Sequence, residues 1–267
     1  MRILVAIKYV PDTDEIRINE ATGTMIREGI PGTINPLDLY AIETALRLRE
    51  QYGGEVVTIS MGPPPAETAL REALSMGVDL AFLLTDPHFA GADTWATAYT
   101  LSRAVKKLGP FDIALCGERA TDGETSQVGP ELGTLLDLPV VTYVSQIEEV
   151  QPASGDSLGW ILCWRLVEEG YQLVEVSLPA LLTVVKEIGE PRLPTFLGKL
   201  RARQAVIPRL TMDALDLSPK EVGLAGSPTR VAKVFYPSLT RRGVIINLSP
   251  EKAVEEILSF LKRCGLL

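Results

Sequence analysis

The sequence predicts an α/β protein with a parallel, twisted sheet and helices on both of its faces. From residue 2 to about residue 150, apolar runs of strand length alternate with longer segments of helical periodicity. Parallel strands need long, right-handed crossover connections, so this alternation indicates a parallel sheet. With 267 residues, 46% of them hydrophobic, the chain can fill one large core or two modest ones.

The early strands are predicted from continuous apolar runs rich in β-branched residues, which are typical of strands buried on both faces. They cover residues 2–10, 55–62, 79–86, 111–117 and 138–150. The helices between them are predicted over residues 35–54, 63–77 and 92–109, with a fourth beginning in the stretch after Gly117. Pro36 suits the first turn of the first helix, and Gly53 with Gly54 ends it.

Beyond residue 150 the pattern changes. Residues 157–185 predict antiparallel strands that flank a turn near Glu169 and Gly170. Residues 189–211 are rich in proline and basic residues with little periodicity, residues 218–243 predict an extended arm, and residues 249–265 predict a capped terminal helix. We therefore predict an α/β domain over residues 1–190, with the antiparallel strands from about residue 155, and a C-terminal region over 191–267 that packs on a partner.

Composition excludes several classes of function. The net charge is −8 and the pI about 4.9, whereas phosphate-backbone binding needs clustered Lys and Arg, so we expect no nucleic-acid partner. No apolar run has membrane-spanning length, and the N-terminal run is too short for a secretory signal, so we expect a soluble, cytoplasmic protein. Cys116, Cys163 and Cys264 lack metal-binding spacing, and the single histidine, His88, is predicted to lie in a solvated loop, so we expect no metal site.

The stretch GERATDGETSQ, residues 117–127, joins a predicted strand to a predicted helix. Parallel sheets bind ligands outside the carboxyl ends of their strands, where the strand order reverses, and helix N-termini attract phosphate. Gly123 would allow close backbone approach. Thr125 and Ser126 could donate from their hydroxyls and Gln127 from its amide, so the stretch suits phosphate binding.

An ordinary helix cap is the alternative interpretation of the same stretch. Either Asp122 or Thr125 could close the first turn of the helix. Glu124 would repel phosphate, so we expect it to face solvent or cap the helix. The sequence contains neither a GxGxxG nor a Walker motif, so neither a Rossmann nor a P-loop site is predicted.

Four stretches in a fixed order carry a family resemblance. They are VAIKYVPD at residues 5–12, INPLDLYAIETALRL at 34–48, ALSMGVD at 73–79 and DGETSQVGP at 122–130. Each is weakly specific alone, but the ordered set is highly specific. The chain resembles the β subunit of electron-transfer flavoproteins over nearly its full length, and LPALLTVVKEIGEPRLPTF, residues 178–196, is similar to the partner-docking segment of that family.

The resemblance implies a heterodimer in which the α subunit holds an FAD that passes electrons to and from partners such as acyl-CoA dehydrogenases. The β subunit of this family has an adenine-nucleotide-binding α/β fold. Its nucleotide is AMP in the mitochondrial type and a second FAD in the electron-bifurcating type, where NADH can be the donor. The sequence offers no catalytic acid, base or nucleophile, so flavin would supply the chemistry.

The family's nucleotide contacts can be carried over by position. They would be Ala6, Asn35, Pro36, Leu37, Asp38, Met61, Gly117, Arg119, Ala120, Asp122, Gly123, Glu124, Thr125, Ser126, Gln127 and Val128. The resemblance implies that backbone groups of Ala6 and Met61 hold adenine. It also implies that Thr125, Ser126, Gln127 and the amide of Val128 hold phosphate. Asp38 would either contact the nucleotide or cap the helix that begins at Pro36.

The motif at residues 122–130 indicates which nucleotide the chain binds. The AMP-binding type typically has DDDxNQTGQ, whereas this chain has DGETSQVGP, which resembles the bifurcating and bacterial branch. Gly123 and Ser126 are smaller than the residues they replace and leave room for a longer ligand, so we predict FAD, with AMP as the alternative. Arg119 departs from the family pattern, and it would either reach a pyrophosphate or flavin ring or lie in solvent.

The family's contacts with its dehydrogenase partner are carried over in the same way, to Pro194, Phe196 and Leu197. Phe196 matches a hydrophobic anchor that the family inserts into a partner dehydrogenase, and flanking prolines lower the ordering entropy. The alternatives are that Phe196 packs inside this chain or against the α subunit.

A competing class of function is that of stand-alone ATP-binding proteins of the same fold. Such proteins would have phosphate-binding glycines that this sequence lacks.

Overall fold

The structure, a computed structural model, describes residues 1–12, 31–155, 157–232, 243 and 245–267. Its contacts divide the chain into two units, Met1–Ala232 and Lys233–Leu267. The predicted division near residue 190, between a nucleotide-binding domain and a partner-docking region, is a functional one and stays a prediction.

A large mixed sheet is the centre of the first unit. Its strands are β1 (Arg2–Ala6), β4 (Glu55–Met61), β5 (Leu80–Leu84), β6 (Ile113–Gly117), β7 (Val140–Gln151), β8 (Trp160–Val167), β9 (Gly170–Ser177), β10 (Ala180–Val184) and β11 (Arg209–Leu210). Within the described residues their spatial order is β11-β5-β4-β1-β6-β10-β7-β8-β9. All neighbours from β11 to β7 are parallel, and β8 and β9 continue the sheet antiparallel. Two short strands, β2 (Tyr9–Pro11) and β3 (Gly32–Ile34), pair separately.

Helices cover both faces of this sheet. They are α1 (Pro36–Tyr52), α2 (Glu67–Met76), α3 (Thr94–Leu108), α4 (Val128–Leu135), α5 (Phe196–Gln204) and α6 (Gly223–Gly226). Residues of α1, α2 and α5, such as Ile42, Leu70 and Ala202, share one buried cluster with the sheet. Residues of α3 and α4, such as Leu101 and Leu132, share a second cluster on the opposite face. The predicted α/β class, with helices on both faces, is confirmed.

The strand order reverses between β1 and β6. The chain moves from β1 through β4 to β5 in one direction, and β6 then lies on the other side of β1. Crossovers on the two sides of this point lie on opposite faces, and in doubly wound sheets ligands bind at the carboxyl ends of the strands at such a reversal. Ala6 and Gly117 are the last residues of these two strands.

Two predicted strand regions differ from the structure. The strand predicted over residues 2–10 ends at Ala6, and Tyr9–Pro11 turns away to pair with Gly32–Ile34. The hairpin around Glu169 and Gly170 is confirmed, but Ala180–Val184 is not part of the antiparallel region. All five of its residues are buried, and it is parallel to both β6 and β7. Apolar strands look alike in sequence whichever way their neighbours run, which explains this error.

Helix α5 was not predicted, because residues 189–211 lack helical periodicity. Tertiary contacts stabilise it instead. The Thr195 hydroxyl accepts from the backbone N–H of Gly198 at 2.9 Å, as a helix cap. Gly198 lies directly against the carbonyl oxygen of Ser75 in α2, where a Cβ would overlap it. At the other end, the Arg71 guanidinium donates to the carbonyl oxygen of Ala202 at 2.6 Å.

The second unit contains the predicted terminal helix, α7 (Pro250–Arg263). Pro250 occupies its first turn, and none of its residues is buried. Of the predicted extended arm, residues 233–242 lie outside the described residues, and the part before them includes α6. In the part of the chain that the structure describes, every helix is too short or too polar to cross a lipid bilayer.

Candidate functional site

Three neighbouring strand ends and the start of one helix meet at the carboxyl edge of the sheet. Ala6, Met61 and Gly117 end β1, β4 and β6, which are adjacent and parallel. Asn35 and Pro36 begin α1 beside them, since a Cβ on Gly117 would lie 2.9 Å from the carbonyl oxygen of Leu37. The structure thus brings together residues that are separated by more than 100 positions in the sequence.

The buried Asp38 carboxylate of α1 binds the end of β6 and the chain that follows β1. It accepts from the backbone N–H of Lys8 at 2.7 Å and from that of Gly117 at 3.1 Å. A Cβ on Gly117 would lie 2.6 Å from the same carboxylate, so only glycine permits this approach. Asp38 therefore connects the end of β6 with the segment just after β1, and the two bonds do not go to the first turn of its own helix.

The surroundings of Asp38 change its protonation. Burial raises the pKa of its carboxyl group from 3.8 to about 7, against the opposing effect of the hydrogen bonds from Lys8, Asn35 and Gly117. The group therefore exchanges its proton near neutral pH. The neighbouring Cys116 thiol is also affected, because burial and the nearby Asp38 raise its pKa to about 12 and keep it a thiol.

The loop of residues 118–127 is held to the same edge by side chains that precede it by 80 residues or more. The Asn35 amide donates to the carbonyl oxygen of Arg119 at 2.9 Å, and its oxygen accepts from the N–H of Thr121 at 3.1 Å. Lys8 Nζ lies 2.5 Å from Asp122 Oδ1. Sequence reasoning missed Lys8, although a cation within the otherwise apolar run of residues 2–10 was a usable signal.

The loop is open where the sequence predicts room for a ligand. A Cβ on Gly123 would meet no atom within 4 Å, so the packing of the described chain does not require glycine there. Glu124 and Ser126 adopt left-handed backbone conformations, with φ of 50° and 56°. The Glu124 side chain is exposed, as expected from the sequence.

Within the described residues, Arg119 makes two long ion pairs in this loop. Its Nη1 lies 3.5 Å from Glu118 Oε1, and its Nε lies 3.8 Å from Glu124 Oε1. Such partly exposed pairs add little stability. The geometry agrees with the solvent interpretation of Arg119, while a contact with a ligand stays a prediction.

The N-terminus of α4 closes the site. This helix begins at Val128, and Gln127 occupies its N-cap position without a side-chain cap. The alternative that Asp122 or Thr125 caps the helix is therefore wrong, because both lie before the cap position. The Gln127 side-chain oxygen accepts from the Thr94 hydroxyl at 3.3 Å, which leaves the amide NH₂ group as the donor end of the side chain.

Glu131, in the first turn of α4, has an unusual environment. One of its oxygens accepts from the Thr94 hydroxyl at 3.1 Å. The other oxygen, Oε2, is buried and has no hydrogen-bond partner among the described residues. Burial raises the pKa of Glu131 above its usual value. A polar group in need of a partner, next to an uncapped helix N-terminus, fits a polar ligand.

The predicted docking residues lie in a separate part of the first unit. Phe196 is the first residue of α5, and Leu197 follows it; each is 75% exposed. Pro194 precedes them, next to the exposed Leu193. The alternative that Phe196 packs inside this chain is therefore wrong. The basic residues Lys199, Arg201 and Arg203 are also exposed, around the same helix.

The histidine and the three cysteines can also be compared with their predicted surroundings. His88 is exposed as predicted but lies in a short 3₁₀ helix, Pro87–Phe89, and its Nδ1 is 2.8 Å from Asp86 Oδ1. Cys116, Cys163 and Cys264 are free thiols. Among the described residues, no group of three or more His, Cys, Asp and Glu side chains is arranged as a metal site.

Comparison with known proteins gives a consistent result. Residues 22–215 match the electron transfer flavoprotein domain. The chain is 48% identical to the electron transfer flavoprotein subunit beta of Thermoanaerobacterium thermosaccharolyticum over 262 residues, 98% of each chain. It is 44% identical over 247 residues, 92% of each chain, to the caffeyl-CoA reductase-Etf complex subunit CarD of Acetobacterium woodii. It is also 44% identical to the protein FixA of Azorhizobium caulinodans over 245 residues, 89% of this chain and 85% of the relative.

Proposed function

Because this chain belongs to the electron transfer flavoprotein family, as a β subunit with a role in electron transfer, we propose that it binds FAD at the carboxyl edge of its sheet. It does so within a heterodimer whose α subunit holds a further FAD. The observation that supports this most is the meeting of Ala6, Met61, Gly117 and the start of α1 at the point where the strand order reverses. Doubly wound sheets bind nucleotides at a reversal of this kind.

The residues present suit an adenine nucleotide. Backbone groups of Ala6 and Met61 would hold the adenine, and Asn35–Asp38 would line the pocket beside it. Thr125, Ser126, Gln127 and the N–H of Val128 would hold the phosphates at the N-terminus of α4, where the helix dipole favours negative charge. When bound, FAD supplies electron-carrying chemistry that no amino-acid side chain provides. The chain itself contributes binding and orientation.

FAD is favoured over AMP by the open space at the loop. Nothing in the described chain lies within 4 Å of a Cβ at Gly123, and Ser126 adds a small side chain beside it. AMP is the second candidate, because the strand ends and the helix N-terminus would hold the shared adenosine phosphate of either nucleotide. A stand-alone ATP-binding protein is disfavoured by the family membership.

The nucleotide content of the native heterodimer tests the proposal directly. We expect acid extraction followed by chromatography to release two FAD and no AMP per heterodimer. One FAD and one AMP would overturn the FAD assignment and leave an AMP-binding electron carrier. One FAD without any AMP would overturn nucleotide binding by this chain.

Two substitutions locate the site. Gly123→Trp fills the open space, and Gln127→Ala removes a donor to phosphate, so both should lower the nucleotide content of this chain. The α-subunit flavin should stay bound. Gln146→Ala, an exposed substitution on β7, is the matched control and should change neither. Unchanged nucleotide content in both site variants would show that residues 117–127 only connect a strand to a helix.

The proposal includes partners and location. Dehydrogenases such as acyl-CoA dehydrogenases would dock on the segment Leu193–Leu197, here called the docking segment, with Phe196 as the anchor. The similarity to a subunit of a caffeyl-CoA reductase complex supports a partner that acts on CoA esters. NADH would be the donor if the second nucleotide is FAD. Free thiols at all three cysteines agree with a cytoplasmic location.

A further inference from the structure

An arginine immediately before the docking segment is held by two carboxylates of α1. Arg192 Nε and Nη2 donate to the two oxygens of Glu43, at 2.7 Å and 3.1 Å. Its Nη1 and Nη2 donate to the two oxygens of Glu50, at 2.5 Å and 3.0 Å. The backbone N–H of Arg192 also donates to Glu43 at 3.1 Å. We call this arrangement the Arg192 clamp; it fixes the main chain as well as the side chain.

The clamp is stronger than an ordinary surface ion pair. The Glu43 side chain is only 6% exposed, and bidentate guanidinium–carboxylate bonds have a fixed geometry. Burial opposes ionisation of Glu43, yet the hydrogen bonds from Arg192 and Arg47 hold its pKa below the usual value. Arg47 also reaches the carbonyl oxygen of Glu190, at 3.2 Å, so a second arginine of the cluster contacts the same stretch of chain.

The other end of the docking segment is fixed independently. Thr195 caps α5 through the N–H of Gly198, and Gly198 lies against Ser75 of α2. Leu193, Phe196 and Leu197 are thereby held between a point on α1 and a point on α2, with their side chains exposed. An exposed apolar segment fixed at both ends is costly to maintain unless a partner covers it, and a fixed shape lowers the entropy lost on binding.

We propose that Arg192 is a positioning residue for partner docking: by binding Glu43 and Glu50 it holds the docking segment in the conformation that a dehydrogenase recognises. This inference rests on the proposed function, since it needs the segment to be the dehydrogenase contact. Arg192 acts through the backbone of the segment. Its loss therefore weakens the encounter with the partner and leaves the rate at saturating partner unchanged.

Helix α1, which carries Glu43 and Glu50, also offers a matched control for the Arg192 variants. Arg49 donates to Asp79 at 2.8 Å and to the carbonyl oxygen of Gly77 at 2.8 Å. It resembles Arg192 in charge, in partial burial and in its carboxylate partner, but it connects α1 to the start of β5. Arg49→Gln should therefore perturb the fold to a similar extent without changing the docking segment.

The experiment measures electron transfer between the purified heterodimer and an acyl-CoA dehydrogenase that exchanges electrons with the wild type. Arg192→Gln and Glu43→Gln should each raise the KM for the dehydrogenase about tenfold, equivalent to 1.4 kcal/mol, with kcat within twofold of the wild type. The double variant should raise KM no further than Arg192→Gln alone, because Glu43 acts on the segment through its contact with Arg192, which that change already removes. Arg192→Lys should give a smaller rise, and Arg49→Gln none. Amide hydrogen exchange over residues 193–197 should quicken in Arg192→Gln but not in Arg49→Gln.

The outcomes separate the inference from the proposed function. If Phe196→Ala leaves the KM unchanged, the docking proposal fails and the positioning role fails with it. If Phe196→Ala raises the KM but Arg192→Gln, Glu43→Gln and Arg192→Lys do not, only the positioning role is overturned. A fall in kcat without a rise in KM would also overturn it. If Arg192→Gln does not assemble, the KM and hydrogen exchange of Arg192→Lys decide, and wild-type values for both would overturn the inference.

Discussion

Replacing Gly117 by alanine should push the end of β6 away from the start of α1 at the proposed nucleotide site. A Cβ at this position would lie 2.6 Å from Asp38 Oδ1 and 2.8 Å from the main-chain carbonyl carbon of Leu37. Real Cβ atoms do not approach so closely, and the backbone of Leu37 cannot rotate away as a flexible side chain would. Since the φ of Gly117 is not in the left-handed region, the whole effect comes from this overlap.

The size of the effect follows from two costs. Overpacking by one methyl group typically costs about 1–3 kcal/mol. Displacement of β6 from α1 also lengthens the 3.1 Å hydrogen bond from the Gly117 N–H to Asp38, and weakening a buried bond of this kind adds about 1 kcal/mol. A total of about 3 kcal/mol would lower the melting temperature by roughly 6–12 °C for a domain of this size.

The assay compares Gly117→Ala with Gly123→Ala in the heterodimer, at one fixed protein concentration because unfolding and dissociation are coupled. Thermal unfolding measures the first cost, and acid extraction measures nucleotide retention. Gly117→Ala should lose both stability and the nucleotide of this chain. Gly123→Ala, whose Cβ meets nothing within 4 Å, should keep the stability of the wild type. A Gly117→Ala complex with unchanged melting temperature and nucleotide content would refute the role given to this contact.

The remaining predictions concern pH, docking, electron donation and assembly. The raised pKa of Asp38 means that the folded chain binds more protons than the unfolded chain between about pH 4 and 7, so its contribution to stability falls as pH rises across this range. Asp38→Asn should flatten this part of the pH profile of urea denaturation, and an unchanged slope would contradict the assignment. Gly198→Ala should push α5 away from α2, cost about 1–3 kcal/mol and raise the KM for an acyl-CoA dehydrogenase; a wild-type KM would count against a rigid docking helix. The double change Thr125→Val and Ser126→Ala should abolish reduction by NADH while the spectrum of the α-subunit flavin stays the same, and normal NADH reduction would exclude these hydroxyls as essential contacts. Expressed alone the chain should be unstable, and co-expressed with an α subunit it should give a 1:1 complex; a stable monomer whose residues 191–267 resist protease would contradict this.

Much of the fold was predictable because burial leaves periodic patterns in the sequence. The alternation of buried strands and amphipathic helices up to residue 150 gave the right class and helices on both faces. Helix α5 could not be predicted, because a cap at Thr195, a close approach at Gly198 and the bonds from Arg71 stabilise it, and none of these creates a period. The direction of β10 was missed because its five apolar residues are equally compatible with parallel and antiparallel neighbours.

The sequence could predict which strand ends meet at the candidate site, but not the hydrogen bonds that hold them together. Residues at the ends of predicted strands, such as Ala6 and Gly117, could be expected to meet because parallel strands share an edge. The role of Asp38 could not, since it depends on two backbone N–H groups 30 and 79 residues away. The clamp of Arg192 on α1 spans 149 residues. Contacts of this range depend on side-chain positions that local sequence does not encode.

The position of β10 in the sheet also limits how the chain can be made and cut. Strand β10, residues Ala180–Val184, lies between β6 and β7, so a polypeptide still shorter than 180 residues has no strand to join these two. During synthesis, the hydrogen-bonding edge of β6 stays bare until this late strand arrives, and bare edges invite pairing with other chains. A fragment that ends near residue 155 contains every proposed nucleotide contact and yet should aggregate when expressed. We therefore expect that the nucleotide site cannot be isolated as a smaller, independently folding piece.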